Sequence, residues 1–81
     1  MRVTVKLFAR LRDLAGTSDR DTEVPPGATI GDVWNETVRA HAALAPYAAS
    51  MSCARNFEYA RLSTKVEDGD EIAFLPPVSG G

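Results

Sequence analysis

Residues 25–44 read PPGATIGDVWNETVRAHAAL, and this stretch decides the fold. Pro26-Gly27 makes a turn. Thr29 can then cap a helix, and Asp32, three residues on, completes a near capping box and suits the positive end of the helix dipole. Ile30, Val33, Trp34 and Val38, with His41 or Ala42 beyond, recur at helical spacing, while Asn35, Glu36 and Arg39 fall on the other side. Pro46 is expected to end the helix or break it. This is the clearest helix of the chain, and everything around it reads as strand or turn.

Upstream, Arg2–Ala9 (RVTVKLFA) alternates. Val3, Val5, Leu7 and Ala9 share one face; Arg2, Thr4, Lys6 and Phe8 share the other, which predicts a half-buried strand with Phe8 as the odd member of its polar face. Arg10–Gly16 (RLRDLAG) sets Leu11 and Leu14 three apart and stops at glycine, which reads as one or two helical turns or a tight loop. Asp21–Val24 is polar and runs into Pro25, as an edge strand does. Downstream, Met51–Asn56 and Glu58–Leu62 are short strands joined around Asn56-Phe57. Asp68-Gly69 marks a turn, and Glu71–Leu75 is the last strand, with Ile72 and Phe74 on one face and Glu71, Ala73 and Leu75 on the other.

The order is strand, strand, helix, then three strands. That predicts an α+β domain with one main helix packed on one face of a mixed sheet of about five strands. The crossover places the last strand parallel to the first, near the sheet's centre. Phe8 and Leu75 then neighbour each other on the face away from the helix, where an apolar pair suggests a docking surface.

Composition narrows the function. The chain has 81 residues, 44% hydrophobic and 25% charged, with a net charge of −2. This suits one soluble domain and lacks the basic excess of a nucleic-acid binder. A single cysteine, Cys53, forms no internal disulfide and fits a reducing compartment. No apolar run approaches the roughly 20 residues needed to span a bilayer, and the alternating start does not read as a signal peptide. A cytoplasmic location with no membrane partner is expected. One histidine and one cysteine are too few for an ordinary zinc site, and there is no Gly-rich phosphate loop. No metal and no bound cofactor are expected.

The distinctive chemical group is then the α-carboxylate of Gly81, after FLPPVSGG. A carboxylate becomes an acyl donor once an enzyme activates it, for instance as an acyl adenylate. Gly80-Gly81, lacking side chains, suits a narrow channel and close backbone approach. Residues 77–81, extended, reach about 17 Å, with Pro76-Pro77 stiffening the base. The sequence divides into a domain over residues 1–76 and an extended tail over 77–81.

Asp68–Gly81 (DGDEIAFLPPVSGG), with Val5–Gly16 (VKLFARLRDLAG) at the other end, resembles the ubiquitin-like MoaD/ThiS family of sulfur carriers, in particular molybdopterin synthase small subunits. The resemblance covers nearly the whole chain and implies a β-grasp fold. It implies that an adenylating enzyme related to ubiquitin activators, using ATP and magnesium, converts the Gly81 carboxylate to an acyl adenylate. A sulfurtransferase-derived persulfide then gives a thiocarboxylate. The loaded carrier docks on the synthase large subunit, in a heterotetramer of two small and two large subunits, and inserts its tail. Its sulfur goes to a cyclic pyranopterin phosphate to build the dithiolene. By the same resemblance Gly81 bears the sulfur. Gly80, Ser79, Val78, Pro77 and Pro76 form the inserted tail, and Phe8, Leu75 and Arg12 face the partner. The resemblance implies a sulfur-donating, non-catalytic subunit of a sulfurtransferase rather than an enzyme alone. Glu67, Asp68, Asp70 and Glu71 form an acidic cluster able to meet basic partner groups. The family's other pathways (cysteine, thiazole or tRNA thiolation) and a ubiquitin-like protein-modifier role stay open, as does a β-grasp binding module with an inert tail. No functional residue is assigned within 40–59.

Overall fold

The structure is a computed structural model that describes residues 1–77. Strand β1 (Arg2–Leu7) leads into helix α1 (Ala9–Ala15), strand β2 (Asp19–Glu23) and the main helix α2 (Ile30–Ala40). A 3₁₀ helix (Ala42–Tyr47) and strands β3 (Ser52–Arg55), β4 (Glu58–Ala60) and β5 (Glu71–Leu75) follow. The five strands form one sheet in the order β2-β1-β5-β3-β4. β1 and β5 run parallel, and every other neighbouring pair is antiparallel. This is the α+β β-grasp arrangement, with the first and last strands adjacent near the centre and β2 at an edge.

The core follows from the alternation. Val3, Val5 and Leu7 of β1 and Ile72 and Phe74 of β5 are all at most 2% exposed. The parallel register sets Val5 beside Ile72 and Leu7 beside Phe74, so the two apolar rows become one surface. α2 covers it with Ile30, Val33 and Trp34. The Trp34 ring meets Phe74 edge-on, with centroids 4.9 Å apart and planes at 66°. Burying side chains of this size contributes about 1.5–3 kcal/mol each. Thr37, on the same buried stripe, was not expected there. Its hydroxyl donates to the Val33 carbonyl at 2.9 Å, so its polar atom is satisfied within the helix.

The start of α2 is held by a full capping box. Asp32 N–H donates to Thr29 Oγ1 at 3.2 Å, and Thr29 N–H donates to Asp32 Oδ2 at 2.9 Å. The end differs from the expectation built on Pro46. The helix stops at Ala40, because its apolar stripe ends at the half-buried Val38 and the chain must turn to bury Leu44. His41, at φ −137° and ψ 80°, makes that turn, and Pro46 sits inside the 3₁₀ helix instead. Met51 and Leu62 lie just outside the strands predicted to hold them, β1 stops at Leu7, and β2 starts two residues early, at Asp19.

Candidate docking face and the base of the tail

One face of the sheet is not covered by α2. Along β1 it carries Arg2, Thr4 and Lys6, and Phe8 continues the series. Phe8 keeps extended geometry, φ −121° and ψ 153°, as the residue before α1. Ala9, at φ 50°, then swings the chain into the helix. Phe8 is therefore carried one step beyond the strand and is left 46% exposed. Leu7 pairs with Phe74, which puts Phe8 alongside Leu75 at the end of β5.

Two halves of this face differ. Toward β2 it is polar, and its charges are already matched across the register. Arg2 Nε lies 3.0 Å from Glu23, Thr4 Oγ1 donates to Asp21 at 3.1 Å, and Lys6 Nζ lies 2.6 Å from Asp19. The Lys6 hydrogen bond lowers the Asp19 pKa, and Asp19 in return raises that of Lys6, so both stay ionised at neutral pH. Toward β3 and β4 the face is apolar. Ala54 and Ala73 pair in register and make a low floor. Phe8, Phe57, Tyr59 and Leu75 line the hollow above it. A second hollow adjoins the first and is lined by Lys6, Leu7, Phe8, Arg12, Phe57 and Glu71, among others. Arg12 is exposed, and Asp13 Oδ1 lies 3.8 Å from its Nε.

The structure thus brings Phe8 and Leu75 together and sets Arg12 beside Phe8. Pro76 and Pro77 leave the sheet directly after Leu75, so the chain exits at the edge of the apolar hollow. Val78, Ser79, Gly80 and Gly81 lie outside the described residues. The segment 40–59, to which no role was assigned, supplies three residues of the hollow, Ala54 in its floor and Phe57 and Tyr59 in its walls. Phe57 is 88% exposed and Tyr59 is 80% exposed. Tyr59 lies on β4, and Phe57 lies on the turn that leads into it.

The acidic cluster is not the surface patch it was expected to be. Asp70 is 6% exposed and faces inward. Its Oδ2 accepts from Arg55 Nε at 2.6 Å and from Glu67 N–H at 2.7 Å; its Oδ1 accepts from Asn56 Nδ2 at 3.0 Å. Burial pushes its pKa upward, but the Arg55, Glu67 and Asn56 hydrogen bonds outweigh that and hold it below the ordinary carboxylate value. Only Glu67, Asp68 and Glu71 remain for any partner. Cys53 packs in the core, its Sγ donating to the Ala60 carbonyl at 3.2 Å. Burial raises its thiol pKa, which keeps it protonated and a poor nucleophile. Among the described residues no group of His, Cys, Asp and Glu is arranged to hold a metal ion, and no helix is long and apolar enough to cross a membrane.

Comparison with known proteins matches residues 5–81 to the ThiS family. The chain belongs to the ThiS family. It is 37% identical over 83 residues to the molybdopterin synthase sulfur carrier subunit of Chlamydomonas reinhardtii, with 100% of both chains covered. It is 38% identical over 84 residues to the small archaeal modifier protein 1 of Haloferax volcanii, covering 94% of this chain and 97% of that one. A crystal structure of that Haloferax protein matches the whole of both chains with a TM-score of 0.88 at 35% identity. A further likeness, of fold alone, is to a protein-protein complex of subunits 1 and 2 of molybdopterin-converting factor from Helicobacter pylori. Its TM-score is 0.70 at 23% identity, over 100% of both chains. The family inferred from DGDEIAFLPPVSGG and VKLFARLRDLAG, and the β-grasp fold, are therefore both those of the chain.

Proposed function

We propose that this ThiS-family protein carries sulfur for molybdenum cofactor biosynthesis, as the small subunit of a molybdopterin synthase. The observation that carries the reading is the full-length likeness to the Chlamydomonas sulfur carrier subunit. The placement of the apolar hollow at the point where the Pro76-Pro77 segment leaves β5 supports it. A body that docks by that hollow delivers whatever follows Pro77 into its partner. The working group is the Gly81 carboxylate. A ubiquitin-activator-like enzyme, using ATP with magnesium, converts it to an acyl adenylate and releases pyrophosphate. A persulfide on the sulfur donor then expels AMP to form an acyl disulfide. A second thiol of the partner proteins cleaves that S–S bond, leaving a thiocarboxylate on Gly81 and a disulfide on the partner. Gly80, Ser79 and Val78 give the tail a slender form, and Phe8, Leu75 and Arg12 hold the body on the large subunit. The chain supplies the sulfur and the docking surface, while the partners supply catalysis. A cytoplasmic setting suits this chemistry.

Incubation with the activating enzyme of the same organism, ATP, magnesium and a persulfide source tests the proposal. Intact-mass spectrometry then shows the gain of one oxygen-to-sulfur exchange at the C-terminus. An unchanged mass, with the enzyme active on another carrier, overturns it. The likeness to the Haloferax modifier favours a second reading, in which activated Gly81 is joined to lysine side chains of other proteins. Isopeptide-linked Gly-Gly remnants on cellular proteins would identify that use.

A further inference from the structure

We propose that Phe57 is an anchor of the docking face. With Phe8 and Arg12 it forms a site for an apolar side chain flanked by a carboxylate on the acceptor protein. This rests on the docking reading above and adds to it a residue and a ligand chemistry.

The argument begins with backbone conformation. Asn56 and Phe57 form the two-residue turn between β3 and β4, with φ of 50° and 72°. Such turns favour Asn at the first position and Gly at the second. A side chain in the left-handed region costs on the order of 1–2 kcal/mol. Phe57 recovers little of this within the chain, since it is 88% exposed. A strained backbone carrying an unburied aromatic points to an external contact as its compensation.

The turn that carries the ring is firmly fixed. Asn56 N–H donates to the Glu71 carbonyl at 2.8 Å, and Glu71 N–H donates to Asn56 Oδ1 at 2.9 Å. Asn56 Nδ2 and Arg55 both bind the buried Asp70. A ring held on such a turn loses little backbone freedom when a partner covers it. Phe57 also lines both hollows of the open face, so it joins the Phe8–Leu75 site to the Arg12 site.

Charge decides what fits. Lys6 is engaged by Asp19 at 2.6 Å, whereas the ion pair of Arg12 is a 3.8 Å contact with its chain neighbour Asp13. Arg12 is the cation beside the apolar walls with most to gain from an added carboxylate. Glu71 lines the same hollow, so the incoming carboxylate belongs on the Arg12 side.

The probe is the molybdopterin synthase large subunit of the same organism, titrated by calorimetry against wild type, Phe57→Gly, Phe57→Tyr and Phe8→Asp. Phe57→Gly weakens binding by at least about tenfold, and Phe57→Tyr stays near wild type. Phe57→Gly also melts no lower than wild type, because glycine adopts this φ freely; a merely structural role would lower it. Unchanged affinity in Phe57→Gly, with Phe8→Asp weakened, overturns the anchor and leaves the docking reading standing. Unchanged affinity in both overturns both. A free-chain dimer, seen by sedimentation and dissolved by Phe57→Gly, would assign the site to a second copy and overturn the acceptor protein as occupant.

Discussion

Asp70 shows how one carboxylate can organise a surface turn. It closes the loop Glu67–Asp70 through the Glu67 N–H, and through Arg55 and Asn56 it ties that loop to the β3–β4 turn. In sequence it was one acid among four around a glycine, and a solvated role was the natural reading. Its burial depends on Arg55, fifteen residues earlier, arriving opposite Ile72 in the β3–β5 register. No local pattern encodes that meeting. Asp70→Asn keeps the shape but removes the charge facing Arg55, and should cost about 1–3 kcal/mol in urea unfolding near pH 7. The pH dependence has a definite sign. The folded pKa of Asp70 lies below its unfolded value of about 3.9. Its contribution is therefore fully present above that value and is lost as pH falls through the folded pKa. The gap in stability between wild type and Asp70→Asn should be constant from pH 5 to 7 and shrink on acidification below about pH 4. A gap that holds its size in acid would show that the carboxylate charge is not what matters.

Among the elements, α2 was the most legible because its determinants are local. The capping residues and most of the buried stripe lie within ten residues of one another. Its first four N–H groups are all satisfied. Ile30 donates to the Thr64 carbonyl at 2.8 Å, Gly31 to Leu62 at 2.8 Å, Asp32 to Thr29 Oγ1 and Val33 to the Thr29 carbonyl. The first two partners come from the loop after β4, where the sequence pattern places Leu62 in a strand and Thr64 in no element. Gly31 suits that approach, since a Cβ there would lie 3.3 Å from the Leu62 carbonyl oxygen, a tight contact that the loop would have to ease by a few tenths of an ångström. Thr29→Ala removes one side of the capping box and should lower stability by about 1 kcal/mol, while Thr29→Ser should change it little. Trp34 is the sole tryptophan and is 4% exposed, so its fluorescence follows the unfolding of both variants. Equal midpoints for Thr29→Ala and wild type would mean that the Leu62 and Thr64 carbonyls secure the helix unaided. The end of α2 was misread for the opposite reason. Pro46 is a strong local signal, but the stop at Ala40 is set by where Leu44 must be buried.

At the scale of the whole molecule, the pairing of the first and last strands was readable, because a single helical crossover leaves few arrangements for them. The parallel β1–β5 pair then placed Phe8 beside Leu75 without further information. Phe57 and Tyr59 escaped notice because their arrival at the same hollow depends on β3 pairing with the far side of β5, a contact between distant segments. The same topology separates the work of the body from that of the tail. Among the described residues, every member of the buried core cluster falls between Val3 and Phe74, and the last strand ends at Leu75. The described core thus lies upstream of Gly81, the residue proposed to carry sulfur. A chain lacking Gly80 and Gly81 should unfold within about 0.5 kcal/mol of wild type, the range of surface changes away from packed groups. It should still bind the large subunit through Phe8, Phe57 and Leu75, yet accept no sulfur from the activating enzyme. Thermal melts, calorimetry and intact mass on one preparation read the three properties separately. A truncated chain that loses more than about 1 kcal/mol, or one that still gains a sulfur atom, would break the division between a folded docking body and a chemical tail.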